Sequence, residues 1–187
     1  EVIVAGGMES MSMAPHLFPS GRTGIKYGSS TLIDHMAYDG LTDAYNNGPM
    51  GAYADQCATN FNFSREAQDA FAVDSYKKAQ SAIEQGIFVD EIEPVVIPQR
   101  SGEPVVISKD EEPFNVKFDK ISALRPAFNK DGTVTAANSS TINDGAAAII
   151  LMSEEKALEL GLKPLARIVA QASAGREPKE FTTAPID

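Results

Sequence analysis

One stretch of the sequence, Gly132 to Met152, combines residue types that could hold a ligand through exposed backbone. It begins with small hydroxyl, amide, alanine and glycine residues and then becomes continuously apolar. Asn138 and Asn143 tolerate turn conformations, and glycines such as Gly145 adopt backbone angles that other residues resist. Ala146 to Met152 is too short for a membrane span and fits a strand buried on both faces. The segment therefore predicts a ligand-facing bend that returns to a protein core.

The single thiol and the two histidines are the candidates for a nucleophile or for metal ligands. Cys57 lies at helical spacing from Met50 and Phe61, with no histidine nearby in the sequence to activate the thiol. This pattern favours a packing cysteine over a nucleophile. His16 and His35 belong to no Cys-His or Asp-His pattern, so we expect surface or hydrogen-bonding histidines.

Composition narrows the classes of function. The chain of 187 residues has a formal net charge of -10, which argues against broad nucleic-acid binding because phosphate neutralisation needs clustered Lys and Arg. One cysteine cannot form an internal disulfide, which favours a reducing compartment. No stretch is apolar enough to cross a membrane, and no basic leader is visible. The chain begins within an apparent core strand and stops without a terminal element, so we expect an internal piece of a longer protein.

Several elements must position these residues. The clearest is a helix from Ser64 to Gln85, with Ser64 as N-cap and Gly86 as the stop. A second helix carries Cys57 and ends near Asn60. The remaining elements are strands and a short helix. Strands are expected at 2–5, 146–152 and 165–172, a hairpin or two short neighbouring strands over 93–107, and a helix that Ser153 caps and Gly161 ends. Strands at both ends and a loop-rich middle predict an α/β core with a large insertion.

Several motifs in order carry a family resemblance. They are Ala-Gly-Gly-Met-Glu-Ser-Met-Ser at 5–12, Asp-Gly-Leu-Thr-Asp at 39–43, Met-Gly at 50–51, Gln-Asp-Ala-Phe-Ala at 68–72, and the small-residue run at 132–152. Together they resemble the thiolases, and the likeness spans essentially the whole chain. It implies the thiolase fold, an α/β architecture with two similar five-layered halves and a long loop domain inserted in the first.

The resemblance also implies a division of the chain. Residues 1–11 would be a strand of the first half, 12–142 the inserted loop domain that binds coenzyme A, 143–164 the return to the first half, and 165–187 the start of the second half. A loop at about 16–30 would join dimers into a homotetramer.

In thiolases, two cysteines, a histidine and an asparagine run a Claisen condensation or its reverse through an acyl-cysteine intermediate. By resemblance these groups lie before and after this chain, so no catalytic residue is assigned here and no turnover is expected from the chain alone.

The resemblance assigns coenzyme A contacts to Leu41, Met50, Phe128, Ala136, Ser139 and Ser140. The backbone at Ala136 and the Ser140 hydroxyl would bond the pantetheine amides, and Met50 would line the acyl end of the tunnel. Leu41 and Phe128 would supply apolar walls. From the residues alone, the serines remain turn formers and the two apolar residues ordinary core.

A monovalent cation site is also implied. Thr-Ala-Ala-Asn at 135–138, with Tyr76 on the long helix, resembles potassium-responsive members of the family. There, the backbone carbonyls of Ala136, Ala137 and Ser139 would ligate potassium together with the tyrosine. A tyrosine that only fills the helix core is the alternative, and it stays open.

The resemblance implies an acetyl-CoA acetyltransferase that condenses or cleaves short 3-ketoacyl-CoA, without a resident cofactor. Coenzyme A thioesters would be its partners, with neither nucleic acid nor membrane involved, and the expected location is cytoplasmic or mitochondrial. Two alternatives stay open: a non-catalytic acyl-CoA or lipid-carrier relative, and a thiolase of broad chain length.

Overall fold

The computed structural model describes residues 1–186, which form two compact units. One contains Glu1–Tyr53 and the described residues from Thr141 onward, and the other contains Ala54–Ser140. The strands are β1 (Val2–Ser10), β2 (His16–Leu17), β3 (Ile33–Asp34), β4 (Val95–Ile97), β5 (Val105–Ile107) and β6 (Asp144–Met152). The α-helices are α1 (Met50–Asn60), α2 (Arg65–Glu84), α3 (Glu112–Asn115) and α4 (Glu154–Glu159).

The first unit is built on an antiparallel pair of long strands. β1 and β6 pair in register from Val2 opposite Met152 to Ser10 opposite Asp144. At Gly6 an added Cβ would stand 2.5 Å from the carbonyl oxygen of Ala147, so the close approach of the two backbones requires glycine. Both predicted strands are confirmed, and both are longer than the sequence indicated.

The predicted burial of these strands is wrong within the described residues. Val4 is 71% exposed and Ile150 is 65% exposed. The reason is that the sheet has only two strands here, and no helix layer of the described chain covers its apolar faces.

The rest of the first unit is short or irregular. β2 and β3 form a second antiparallel pair, and a π-helical turn follows at Met36–Gly40. Ser153 caps α4 by accepting a hydrogen bond from the Lys156 amide, as predicted. The strand predicted at 165–172 is wrong: this segment forms no regular secondary structure and is exposed, because no neighbouring strand in the described part of the chain offers it hydrogen bonds.

The second unit centres on α2 and the part of α1 from Ala54 onward. Ser64 caps α2 through a 3.1 Å bond from the Ala67 amide, and Gly86 follows with φ of +65°, so both predicted signals are confirmed. The predicted hairpin is present as β4 and β5. The small core comprises Ala58, Ala72, Ile121 and Val134.

The helices among residues 1–186 include none long and apolar enough to cross a membrane.

Candidate functional site

The small-residue loop, defined here as Gly132–Ser140, is held from α1 by a buried carboxylate. Oδ1 of Asp55 accepts hydrogen bonds from the backbone amides of Thr133 (2.8 Å) and Val134 (2.9 Å). Its Oδ2 accepts a 2.8 Å bond from the side-chain amide of Asn129. Asp55 is only 5% exposed. Three donors compensate the desolvation of this charge, so Asp55 fixes the beginning of the loop.

The same carboxylate leaves no room for a side chain at position 132. A Cβ at this position would collide with Oδ2 of Asp55 and stand 2.6 Å from its Oδ1 and Cγ. The φ of Gly132 is not in the left-handed region, so the demand for glycine comes from space rather than from backbone conformation.

The end of the loop is held from α2 through Asn138. The side-chain oxygen of Asn138 accepts a 2.7 Å bond from the Thr135 amide. Its side-chain nitrogen donates to Oδ1 of Asp69 and to the carbonyl of Thr133, both at 3.0 Å. Asp69 is 8% exposed, and its Oδ2 accepts a 2.7 Å bond from Nε of Arg65. One amide side chain therefore closes the loop on itself and ties it to a buried ion pair.

Between these anchors the loop turns outward. Thr135 is completely buried, and its carbonyl accepts a 2.7 Å bond from the Ser139 hydroxyl. Ala136 follows at once and is exposed. The exposed Ala136 thus lies between fixed points on both sides, and its backbone has no side chain large enough to cover it.

The four predicted site residues of the second unit lie on or beside this loop. The amide of Ala127, next to Phe128, donates a 2.8 Å bond to the Val134 carbonyl, which draws that segment alongside. Phe128, Ala136 and Ser140 are exposed and Ser139 is half-buried. Their assignment as coenzyme A contacts stays a prediction.

Leu41 and Met50 belong to the first unit, where the structure brings them together. The Met50 amide donates a 3.0 Å bond to the Leu41 carbonyl, closing a loop around Asp43. The backbone bond from Tyr45 is the main cause of the lowered pKa of Asp43. Tyr53 donates a 2.9 Å bond to the same carboxylate, and its pKa is raised by burial first and then by Asp43. This loop fixes where α1 begins, and the coenzyme A role of both residues stays a prediction.

A second aspartate at the end of the strand pair anchors the return of the chain. Oδ1 of Asp144 accepts a 2.9 Å bond from the Ser12 amide, and the Ser12 hydroxyl donates to Oδ2. The Ser12 side chain is the first cause of the lowered pKa of Asp144. These bonds join the first residues after β1 to the first residue of β6.

The described chain shows the surroundings of the candidate nucleophile Cys57 and of the candidate metal ligand His35. Cys57 is half-buried on α1. Nε2 of His35 lies 3.0 Å from Oδ2 of Asp39, and both side chains are about half exposed. Among residues 1–186 no cluster of three His, Cys, Asp or Glu side chains could hold a metal ion.

Tyr76, the predicted potassium ligand, donates a 3.3 Å bond to Oε1 of Glu112. Burial is the first cause of its raised pKa, followed by the charge of Glu112. Its ring also meets Phe118 edge-on at 6.3 Å between centroids. The cation site it would share with Ala136, Ala137 and Ser139 stays a prediction.

Sequence reasoning missed the two buried carboxylates, Asp55 and Asp69. Each lies three residues before a buried alanine on its helix, Ala58 and Ala72 respectively. An acidic residue at helical spacing within an apolar stripe was the available signal, because such a residue must be paired.

Comparisons with known proteins place this geometry in a family. Residues 1–155 match the family model of the thiolase N-terminal domain. A cytosolic acetyl-CoA acetyltransferase of Gibberella zeae is 51% identical over 186 residues, covering 99% of this chain and 47% of that protein. A probable acetyl-CoA acetyltransferase of Dictyostelium discoideum is 53% identical over 185 residues, covering 99% of this chain and 45% of that protein.

Two solved structures share the fold. An acetyl-CoA acetyltransferase from Syntrophomonas wolfei superposes with a TM-score of 0.89 at 42% identity, covering 98% of this chain and 46% of the other. A thiolase from Ascaris suum in complex with coenzyme A gives a TM-score of 0.87 at 45% identity, again covering 98% of this chain and 46% of the other. The α/β thiolase fold predicted from the sequence is confirmed, and the chain spans about half the length of the relatives it matches.

Proposed function

The chain belongs to the thiolase family, and from that premise we propose that it is part of a longer enzyme that moves acetyl groups between coenzyme A thioesters. The longer enzyme condenses or cleaves short 3-ketoacyl-CoA through an acyl-cysteine intermediate. The proposal is supported by relatives that are 51% and 53% identical to this chain and are named as acetyl-CoA acetyltransferases.

The part that this chain plays is to bind the thioester. The observation that carries this proposal is the small-residue loop, whose exposed Ala136 is fixed between two buried carboxylates. Exposed backbone amides and carbonyls can bond the two amides of a pantetheine arm, and small side chains let the arm pass. The Ser140 hydroxyl is exposed and adds one donor. By the family resemblance Leu41, Met50 and Phe128 supply the walls, and each has exposed apolar surface.

The acyl-carrying cysteine lies outside these residues. Cys57 is half-buried, in the middle of α1. A reactive thiolate needs a cationic neighbour or a helix N-terminus, and the middle of a helix provides no N-terminal amides. The chain alone therefore has no turnover, and the nucleophile and the proton-transferring cysteine, histidine and asparagine come from the rest of the enzyme.

The remaining parts of the proposal concern assembly, location and ions. Residues 12–142 form the inserted loop domain, with 1–11 and 143–164 in the first half and 165–187 opening the second. The loop at 16–30 joins dimers into a homotetramer. A cytosolic location is supported by the naming of the Gibberella zeae relative. The proposed potassium site consists of Tyr76 and the backbone carbonyls of Ala136, Ala137 and Ser139, and it rests on the family resemblance alone.

The test uses the full-length protein that contains this chain and follows the cleavage of acetoacetyl-CoA by free coenzyme A. We expect turnover that disappears when the nucleophilic cysteine outside this chain is replaced and that persists in Cys57→Ala. Loss of turnover in a folded Cys57→Ala protein, or no reaction with any 3-ketoacyl-CoA, would overturn the proposal. Faster cleavage of long-chain substrates would replace the short-chain assignment.

Two variants test the site itself. Ala136→Leu puts a branched side chain where the arm is to pass, so we expect KM for the thioester to rise severalfold. Tyr76→Phe removes the ligand hydroxyl, so we expect the stimulation by potassium relative to sodium to disappear. An unchanged KM in the first case, or an unchanged potassium response in the second, contradicts the corresponding assignment.

A further inference from the structure

Asn138 and Asp69 form a polar connection that the proposed contacts with the thioester do not use. Both residues stay beneath the outer surface of the loop: Asp69 is 8% exposed and Asn138 is half-buried. Neither side chain has a free polar atom, since all their oxygen and nitrogen atoms are hydrogen-bonded. Their chemistry is therefore directed into the protein rather than towards a ligand.

The three bonds of Asn138 tie the backbone on either side of Ala136, together with the bonds from the Ala137 amide to the Thr135 hydroxyl and from the Ser139 hydroxyl to the Thr135 carbonyl. Its oxygen holds the Thr135 amide, and its nitrogen holds the Thr133 carbonyl and the Asp69 carboxylate. The backbone groups of residues 136 and 137 lie between Thr135 and this anchor. Because the intervening side chains are methyl groups, no side-chain packing from Ala136 or Ala137 can replace the anchor.

Arg65 connects the same anchor to the segment at 121–124. Its Nε donates to Asp69, while its terminal nitrogens donate to the carbonyls of Ile121 (2.8 Å) and Leu124 (3.1 Å). The charge of Asp69 is thereby balanced and its side-chain position fixed. A fixed acceptor, in turn, sets where the amide of Asn138 must lie.

We propose that Asn138 and Asp69 are positioning residues for the thioester: they hold the backbone at the exposed Ala136 in the conformation that binds the pantetheine arm. This inference rests on the proposed function. Neither residue contacts the substrate, and their effect passes through the backbone between Thr135 and Ser139. A loop that is already fixed loses little conformational entropy on binding, and a loosened loop binds more weakly.

The decisive experiment exchanges the hydrogen-bond donor, the amide of Asn138, with the acceptor, the carboxylate of Asp69. Asn138→Asp keeps the shape but sets two carboxylates against each other at about the present 3.0 Å contact. Adding Asp69→Asn restores the pair with its roles exchanged: the new amide oxygen accepts from Arg65, and its nitrogen donates to the new carboxylate. Two differences remain: a carboxylate oxygen of residue 138 then faces the Thr133 carbonyl oxygen, and the negative charge has moved from residue 69, beside Arg65, to residue 138.

The measurement is the KM and kcat of the full-length protein with acetoacetyl-CoA under steady-state conditions. We expect N138D to raise KM about tenfold, equivalent to about 1.4 kcal/mol, with kcat within about twofold. The exchanged pair should return KM to within about threefold of the starting protein. The matched control is Asp74→Asn on the same helix, which removes an exposed ion pair with Lys78 and should leave both constants unchanged.

The outcomes separate this inference from the proposed function. If Ala136→Leu raises KM and N138D does not, the thioester site stands and the positioning role is wrong. If neither raises KM in an active enzyme, the site itself is wrong. If kcat falls while KM stays constant, the pair acts on another step and the inference fails.

The exchanged pair, Asn138→Asp with Asp69→Asn, also distinguishes a positioning role from a purely structural one. Should N138D fail to fold, the exchanged pair is compared with Asn138→Ala, which lacks all three bonds. A KM of the exchanged pair near that of the starting protein supports positioning. A KM as high as that of Asn138→Ala, with both proteins folded by circular dichroism, overturns it.

Discussion

Gly132→Ala should destabilise the protein through one contact that the structure defines. The new methyl group would overlap Oδ2 of Asp55 and crowd its Oδ1 at 2.6 Å. Because the carboxylate is 5% exposed and held by three donors, it cannot turn aside without leaving some of them unpaired. The backbone conformation at Gly132 adds nothing to the cost, since its φ is not left-handed.

The size of the effect follows from the bonds that must be lost. A hydrogen bond to a charged group contributes about 1.5 kcal/mol or more, and relief of the overlap sacrifices the two backbone bonds to Oδ1. We therefore expect a loss of about 3 kcal/mol. For a protein of this length, that lowers the midpoint of thermal unfolding by roughly 6–12 °C.

Urea unfolding followed by circular dichroism measures this loss. Gly145→Ala is the matched control, because nothing lies within 4 Å of the position that an added Cβ would take there and its φ is also ordinary. In an Asp55→Ala background, Gly132→Ala should cost less than about 0.5 kcal/mol, since the obstacle is gone. If Gly132→Ala costs no more than Gly145→Ala, or costs the same in both backgrounds, the steric argument is refuted.

Three smaller effects follow from other contacts. Ser64→Ala removes the N-cap of α2 and should cost about 1 kcal/mol in urea unfolding, whereas an unchanged midpoint would mean that the cap is not needed. Hydrogen bonds from Ser12 hold the pKa of Asp144 below its ordinary 3.8. The ionised carboxylate therefore stabilises the folded protein above pH 3.8, and this stabilisation is lost as the pH falls through the lowered pKa of the folded state. In Asp144→Asn, the free energy of unfolding should therefore fall less steeply as the pH is lowered into the acid range. An unchanged dependence on pH would contradict a stabilising role of the ionised Asp144. Asp43→Asn should lower the raised pKa of Tyr53 in an ultraviolet titration, and an unmoved titration would show that burial alone raises it.

The local elements could be predicted because their signals are local. Ser64 and Gly86 mark the two ends of α2 within a few residues of where they act, and the cap bond and the left-handed φ are both present. Likewise, the two Val-Val-Ile runs on either side of a short polar turn predict the β4–β5 hairpin. These interactions need nothing from distant parts of the chain.

The burial of the strands could not be predicted in the same way. An apolar run indicates that a strand prefers to be covered, but it does not say which element covers it. Val4 and Ile150 are exposed because β1 and β6 meet only each other in the described chain. For the same reason Leu165 to Ala172, apolar but without a neighbouring strand among the residues described, adopts no sheet structure.

For the small-residue loop, the sequence predicted an exposed bend but not the means of holding it. The residues that fix the loop are far away in the chain: Asp55 is 78 residues before Thr133, and Asp69 is 69 residues before Asn138. Periodicity places both aspartates on helices, yet nothing local tells which backbone amide each one will meet. That information resides in the tertiary fold.

The binding through backbone that we propose for this loop would need such distant support. Small residues leave peptide groups accessible, but they also remove the side-chain packing that would keep those groups in place. The fold resolves this conflict by taking rigidity from α1 and α2, where Asp55 and Asp69 are buried and paired. In a chain of net charge -10, these two acids do not face the outer surface of the loop, because the Asp55 carboxylate accepts from backbone amides and the Asp69 carboxylate from Arg65. The sites most sensitive to substitution should therefore include helix residues that no ligand touches.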